Sequence, residues 1–105
     1  MQRIQCKRTK GWRKPTGAVY VGRGPNSKWG NPYKVNIYGR ERAVALFRRE
    51  VEAMPEAERE AWLAPLRQAT ALMCWCKPDE LCHADVLIEY LTRPAPRPAP
   101  RQRKD

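Results

Sequence analysis

No stretch of this chain approaches the roughly 18 consecutive apolar residues of a membrane-spanning helix. The opening residues, Met1 to Arg8, lack the apolar core of a secretory signal. The expectation is a cytoplasmic protein that makes no membrane contact. Acidic residues are missing altogether from positions 1–40, histidine occurs only at position 83, and there is no internal repeat, which excludes repeat arrays. At 105 residues there is room for one small domain and not for a multidomain enzyme. A domain of this size buries only about two-thirds of its unfolded surface, so a metal site or a partner would add to its stability.

What the chain does have is positive charge: 21 Lys or Arg against 11 Asp or Glu, a formal net charge of +10. The charge is segregated. Residues 1–40 carry ten basic residues and no acidic one, residues 41–92 carry six basic and ten acidic, and residues 93–105 carry five basic and one acidic. Such segregation produces a local positive potential, the footprint of a protein that meets phosphate, although composition does not separate polynucleotide from nucleotide. The last stretch, Arg93 to Asp105, alternates proline with Ala or Arg and can form neither helix nor ladder. The expected organisation is a folded domain over residues 1–92 and a disordered basic tail over 93–105, the tail being either a solubilising end or a nonspecific phosphate-binding arm.

Within the domain, Ala18-Val19-Tyr20-Val21 reads as a strand ending at Gly22-Arg23-Gly24-Pro25, with a weaker strand around Arg3 to Cys6. Val44, Phe47, Val51 and Met54 fall at helical spacing, and Pro55 followed by Glu56, Glu58 and Glu60 starts a second helix that Pro65 interrupts. Ala71 to Cys76 is a nearly continuous apolar run, as in a strand covered on both faces. Ala84, Leu87, Ile88 and Leu91 then make the stripe of a last helix, capped by Asp79 or a nearby residue. This order predicts a small α/β domain with a short, mainly parallel sheet flanked by helices. In such sheets ligands bind outside the carboxyl ends of the strands, which would bring the 22–32 loop and the 76–85 segment to one rim.

Cys74-Trp75-Cys76 and Cys82-His83-Ala84-Asp85 place three thiols and the one histidine in ten residues. On a strand, positions 74 and 76 share a face, while Cys82 and His83 open a helix whose free amides favour a thiolate. A set of three cysteines and one histidine suits tetrahedral zinc through Cys74, Cys76, Cys82 and His83. Adjacent helical residues diverge by about 100°, so Cys82 and His83 can share an ion only if the helix begins at or after them. Two other readings stay open: a reactive Cys82 with His83 as base and Asp85 nearby, or buried inert thiols with a capping histidine. A deaminase reading of His83-Ala84-Asp85 fails for want of the glutamate and the later Cys pair.

The second constellation runs from Gly22 to Tyr33. Its glycines admit a phosphate close to backbone amides, Arg23 and Lys28 bring charge, Asn31 brings a polar amide, and Trp29 or Tyr33 offers a stacking face. The spacing fits neither a P-loop nor a dinucleotide fingerprint. The plainer alternative is an ordered loop with Trp29 packed on the core and Asn31-Pro32 setting a turn. Trp12, among basic residues, fits either stacking or anchoring; Trp62 and Trp75 read as core.

Tyr20-Val21-Gly22-Arg23, Lys28-Trp29-Gly30-Asn31-Pro32-Tyr33, Cys74-Trp75-Cys76 and Cys82-His83-Ala84-Asp85-Val86-Leu87 together resemble a small phage and bacterial family known only as a domain of unknown function. The resemblance spans about Ile4 to Leu91 and carries no activity with it. It implies a common site containing Lys28, Trp29, Asn31, Cys74, Cys76, Cys82, His83 and Asp85, and a phage or prophage origin. Cys6 departs from the family's pattern and stays outside that site.

Three functions follow as expectations. The first is a zinc-stabilised domain that binds nucleic acid or nucleotide, with Arg23, Lys28, Trp29 and Asn31 at the phosphate. The second is an enzyme on a nucleotide or nucleic-acid base, with Cys82 or a metal-bound water as nucleophile and His83 and Asp85 moving protons. The third is a phage protein that binds a host protein.

Overall fold

The structure, a computed structural model, describes residues 1–24 and 27–93. In chain order its elements are β1 (Gln2–Gln5), β2 (Ala18–Tyr20), α1 (Val35–Tyr38), α2 (Arg40–Ala53), α3 (Glu56–Leu63) running into a 3-10 turn (Ala64–Leu66), β3 (Ala71–Cys74) and α4 (His83–Thr92). The expected proline-arginine tail lies, from residue 94 on, outside the described residues. No helix among the described residues is long and apolar enough to cross a membrane.

The three strands form a wholly parallel sheet in the order β1-β3-β2. Ala71 of β3 lies opposite both Gln2 and Ala18, and the ladder continues past the strand ends through Cys6 N to Cys74 O at 2.7 Å and Val21 N to Met73 O at 2.9 Å. The last strand in sequence is thus the middle one in space, which is why all four of its residues are buried. Its side chains divide by the period of two. Leu72 and Cys74 enter the main core with Val21, Phe47, Val51, Leu63, Leu66 and Leu87, whereas Ala71 and Met73 join a smaller cluster with Cys6 and Ala18. Trp12 is half-buried and packs on that smaller cluster.

Helices α2, α3 and α4 form where their sequences predict. Ala43, Phe47 and Val51 repeat every four residues and bury one face of α2, and Pro55 stands at the N-cap of α3, whose first turn carries Glu56 and Glu58. One boundary and one element differ from expectation. β3 ends at Cys74, so Cys76 lies past the ladder. The short helix α1 was not apparent because its four residues carry no buried position and hence no periodic apolar signal. Of the cap candidates at or near Asp79, the one that caps α4 is Cys82, whose side chain accepts from Ala84 N while its own amide donates to Asp85.

Candidate metal centre and cleft

A parallel sheet sends all its strand ends to one rim, and here the rim collects the chemistry. β2 leads into Val21-Gly22-Arg23, β3 into Cys74-Trp75-Cys76, and α4 starts at the same rim with Cys82. The Sγ atoms of Cys74, Cys76 and Cys82 all lie within 4.8 Å of one another, with Cys74 and Cys82 at 3.2 Å. Sulfurs on one tetrahedral ion, at about 2.3 Å each, stand roughly 3.8 Å apart, so the spacing suits a single metal. These three cysteines can hold a metal ion.

The cluster is electrostatically prepared for negative sulfur. Hydrogen bonds from the Cys74 and Cys76 thiols pull Cys82 well below the ordinary thiol range against the opposing effect of burial, and the Ala84 amide and the Arg3 guanidinium act in the same direction. Cys74 is pushed up as the proton-holding partner. Arg3, on β1, donates through Nη2 to the carbonyls of Lys77 at 3.2 Å, Pro78 at 2.8 Å and Glu80 at 2.8 Å, and its Nε faces Asp85 Oδ1 at 3.3 Å. Arg40, at the start of α2, donates to Cys76 Sγ at 3.3 Å and to the Leu81 carbonyl at 2.9 Å. Two guanidiniums from distant segments thus fix the 77–81 loop and lie against the sulfurs.

His83 is buried, and its Nε2 lies 2.7 Å from the Val21 carbonyl. A carbonyl only accepts, so Nε2 carries the proton and the Nδ1 lone pair faces Cys82 Sγ at 3.6 Å. Burial lowers its pKa and keeps the ring neutral. Phe47 packs against it edge to face, with ring centroids 5.1 Å apart. The group sharing one radius is the three cysteines; His83, the fourth residue of the expected set, is tied to β2 through Nε2 and faces Cys82 through Nδ1. Asp85 is likewise engaged, accepting from the Cys82 amide at 3.1 Å and pairing with Arg3.

A cleft of about 210 Å³ opens above the cysteines, lined among others by Tyr20, Arg23, Tyr33, Arg40, Trp75 and Leu81. Of the residues expected at the phosphate, Arg23 and Asn31 line this cleft and Lys28 and Trp29 do not. Arg23 is anchored through Nε on the Asn31 carbonyl at 2.8 Å. Asn31 is only 7% exposed; its Nδ2 donates to the Ala43 carbonyl at 3.0 Å and its Oδ1 accepts from Tyr33 N, so its amide builds the loop. Trp29 is also 7% exposed, packed in the main core with Nε1 on the Trp62 carbonyl. The tight loop explains two glycines: a Cβ at Gly22 would overlap the Tyr20 phenol, and one at Gly30 would fall 3.0 Å from Arg23 Cα.

Trp75, expected in the core, is 46% exposed and lines the cleft, with the Arg8 guanidinium 4.7 Å from its ring centroid. The strand stops one residue earlier, and the buried run stops with it. Sequence reasoning also missed Arg3 and Arg40 as arms of the site. Their partners lie 36 to 77 positions away, and no local pattern marks such a contact.

The sequence model of one family, described as a domain of unknown function, DUF4326, matches residues 4–93. The chain belongs to the DUF4326 family. The match covers every helix and the sheet apart from the first two residues of β1, so the cysteine cluster and the cleft lie wholly within the DUF4326 domain. No curated protein and no solved structure matches this DUF4326 chain.

Proposed function

We propose that this protein binds a phosphate-bearing ligand, nucleic acid or nucleotide, at the strand-end rim, with zinc on Cys74, Cys76 and Cys82 tying β3 to α4. The observation that carries the reading is the meeting, in one cleft, of a three-sulfur cluster, the cationic side chains of Arg23 and Arg40, and the exposed ring of Trp75. Soft thiolates select zinc over hard cations such as magnesium. The β1–β2 connection adds Lys7, Arg8, Lys10, Arg13 and Lys14, all exposed, and Arg8 stacks on Trp75 beside the cleft. Exposed aromatic faces bordered by guanidinium are what single-stranded bases stack on.

The test is binding of a single-stranded oligonucleotide and of a mononucleotide across a salt series. Log affinity for the oligonucleotide should fall linearly with log salt, with a slope of about −0.7 for each phosphate neutralised. The Trp75→Ala variant should weaken oligonucleotide binding by roughly 5- to 150-fold, equivalent to about 1–3 kcal/mol per stacked base. Flat salt dependence would overturn the polynucleotide reading. Saturable binding of the mononucleotide alone, lost in Arg23→Ala, would assign the site to nucleotides.

A second reading, an enzyme on a nucleotide or nucleic-acid base, is favoured by one observation: three protein ligands rather than four, the count of an open site. In that reading Asp85 does not act as a proton carrier, because it already caps α4 and pairs with Arg3. A single acidic host protein recovered in a pull-down, with no nucleotide or oligonucleotide binding, would favour the third expectation, a host-protein partner.

A further inference from the structure

Resting on the metal reading above, we propose that the metal's fourth coordination position is open to the cleft and takes a small anion from outside the protein. Three protein groups near the cluster are candidates to close it, and none shares the radius of the three sulfurs. His83 is held through Nε2 on the Val21 carbonyl and by Phe47; its Nδ1 lone pair reaches Cys82 Sγ at 3.6 Å but does not share the radius common to the three sulfurs. Asp85 accepts from the Cys82 amide through Oδ2 and pairs with Arg3 through Oδ1. Cys6 is buried in the smaller cluster with Met73, on the sheet face opposite the one Cys74 occupies.

The open side is the cleft itself. Cys74, Cys76 and Cys82 form part of its wall, and its volume of about 210 Å³ exceeds several-fold the roughly 30 Å³ that one water occupies in the liquid.

Charge decides what can enter. Three thiolates on a divalent ion leave one net negative charge, which by itself repels an anion. Arg40, on the cleft wall and 3.3 Å from Cys76 Sγ, offsets that charge locally although it also pairs with Glu80, and the Leu81 carbonyl holds it in position. Arg23, in the same cleft, adds a second guanidinium.

The experiment is a cobalt(II) titration of the metal-free full chain followed by visible absorption, with azide and then inorganic phosphate added to the one-equivalent complex. The expected result is thiolate-to-cobalt charge transfer on titration, followed by a saturable change of the d–d bands with azide that phosphate competes away. Arg40→Gln should weaken azide binding by about fivefold, near 1 kcal/mol for loss of a partly exposed charge contact. His83→Gln should leave the starting spectrum unchanged. Cobalt bands unmoved by either anion overturn the open position while leaving the metal centre standing, and a changed starting spectrum in His83→Gln names histidine as the closing ligand. Absence of the charge-transfer band overturns the metal reading itself, and the open position with it.

Discussion

The sulfurs of Cys74 and Cys82 lie 3.2 Å apart although one residue closes the central strand and the other opens the last helix. Between them the chain leaves the sheet and returns to it, and the turn is held from outside: Arg3, more than seventy positions earlier, is hydrogen-bonded to three of its carbonyls. The thiol cluster is therefore a property of the β1-β3 pairing as much as of the cysteine spacing.

Cys82 has two roles that one substitution separates. Its side chain caps α4 and belongs to the sulfur cluster. Serine is a strong N-cap but a poor ligand for a soft site. Cys82→Ser should keep the helix content, read by far-ultraviolet circular dichroism, while metal affinity drops by more than about tenfold. Unchanged metal content by elemental analysis would remove Cys82 from the ligand set.

Asp85 is expected to matter through stability. Replacing it with alanine removes an acceptor from the Cys82 amide and the partly exposed pair with Arg3. Loss of a capping interaction and a discounted ion pair costs about 1–2 kcal/mol, or a fall in Tm of roughly 5–15 °C for a domain of this size. A thermal melt indistinguishable from wild type would contradict this role.

Two tryptophans brace the glycine-rich loop reciprocally: Trp29 Nε1 donates to the Trp62 carbonyl at 3.0 Å, and Trp62 Nε1 donates to the Lys28 carbonyl at 2.9 Å. Trp62→Phe keeps most of the apolar contact and deletes one brace, at a cost of about 1 kcal/mol. Amide exchange should accelerate in the 27–33 segment, with β3 unaffected. Uniform acceleration throughout the domain would instead mark a global loss of stability.

The tie between α2 and α4 should depend on pH. Arg48 Nη2 lies 3.3 Å from Glu89 Oε2, and the hydrogen bond from Arg48 holds the Glu89 carboxyl below its ordinary pKa of 4.5. A carboxylate depressed on folding contributes fully above its unfolded pKa, and the contribution disappears as pH falls through the folded value. Because both groups are exposed, the pair is worth less than about 1 kcal/mol. Arg48→Gln should therefore be slightly less stable than wild type at pH 7, with the difference shrinking below pH 4.5 and in high salt. A difference that persists in strong acid would mean that Arg48 acts by packing.

Residue order was sufficient for the α/β class, for helices over the stripes of α2, α3 and α4, and for the convergence of three cysteines on one rim. Each of these follows from a local period, of two or of about 3.6, combined with the tendency of strand–helix–strand units to pair in parallel. Long-range pairing decided the rest. It put β3 between β1 and β2, brought Arg3 and Arg40 to the sulfurs, and ended the buried strand at Cys74, so that Trp75 emerges beside Arg8. It also turned His83 Nε2 to the Val21 carbonyl, leaving only Nδ1 to face Cys82. Contacts of this kind join groups dozens of positions apart, and each is chosen by which donor finds a free carbonyl or sulfur once the sheet has formed, which no local period of the chain records.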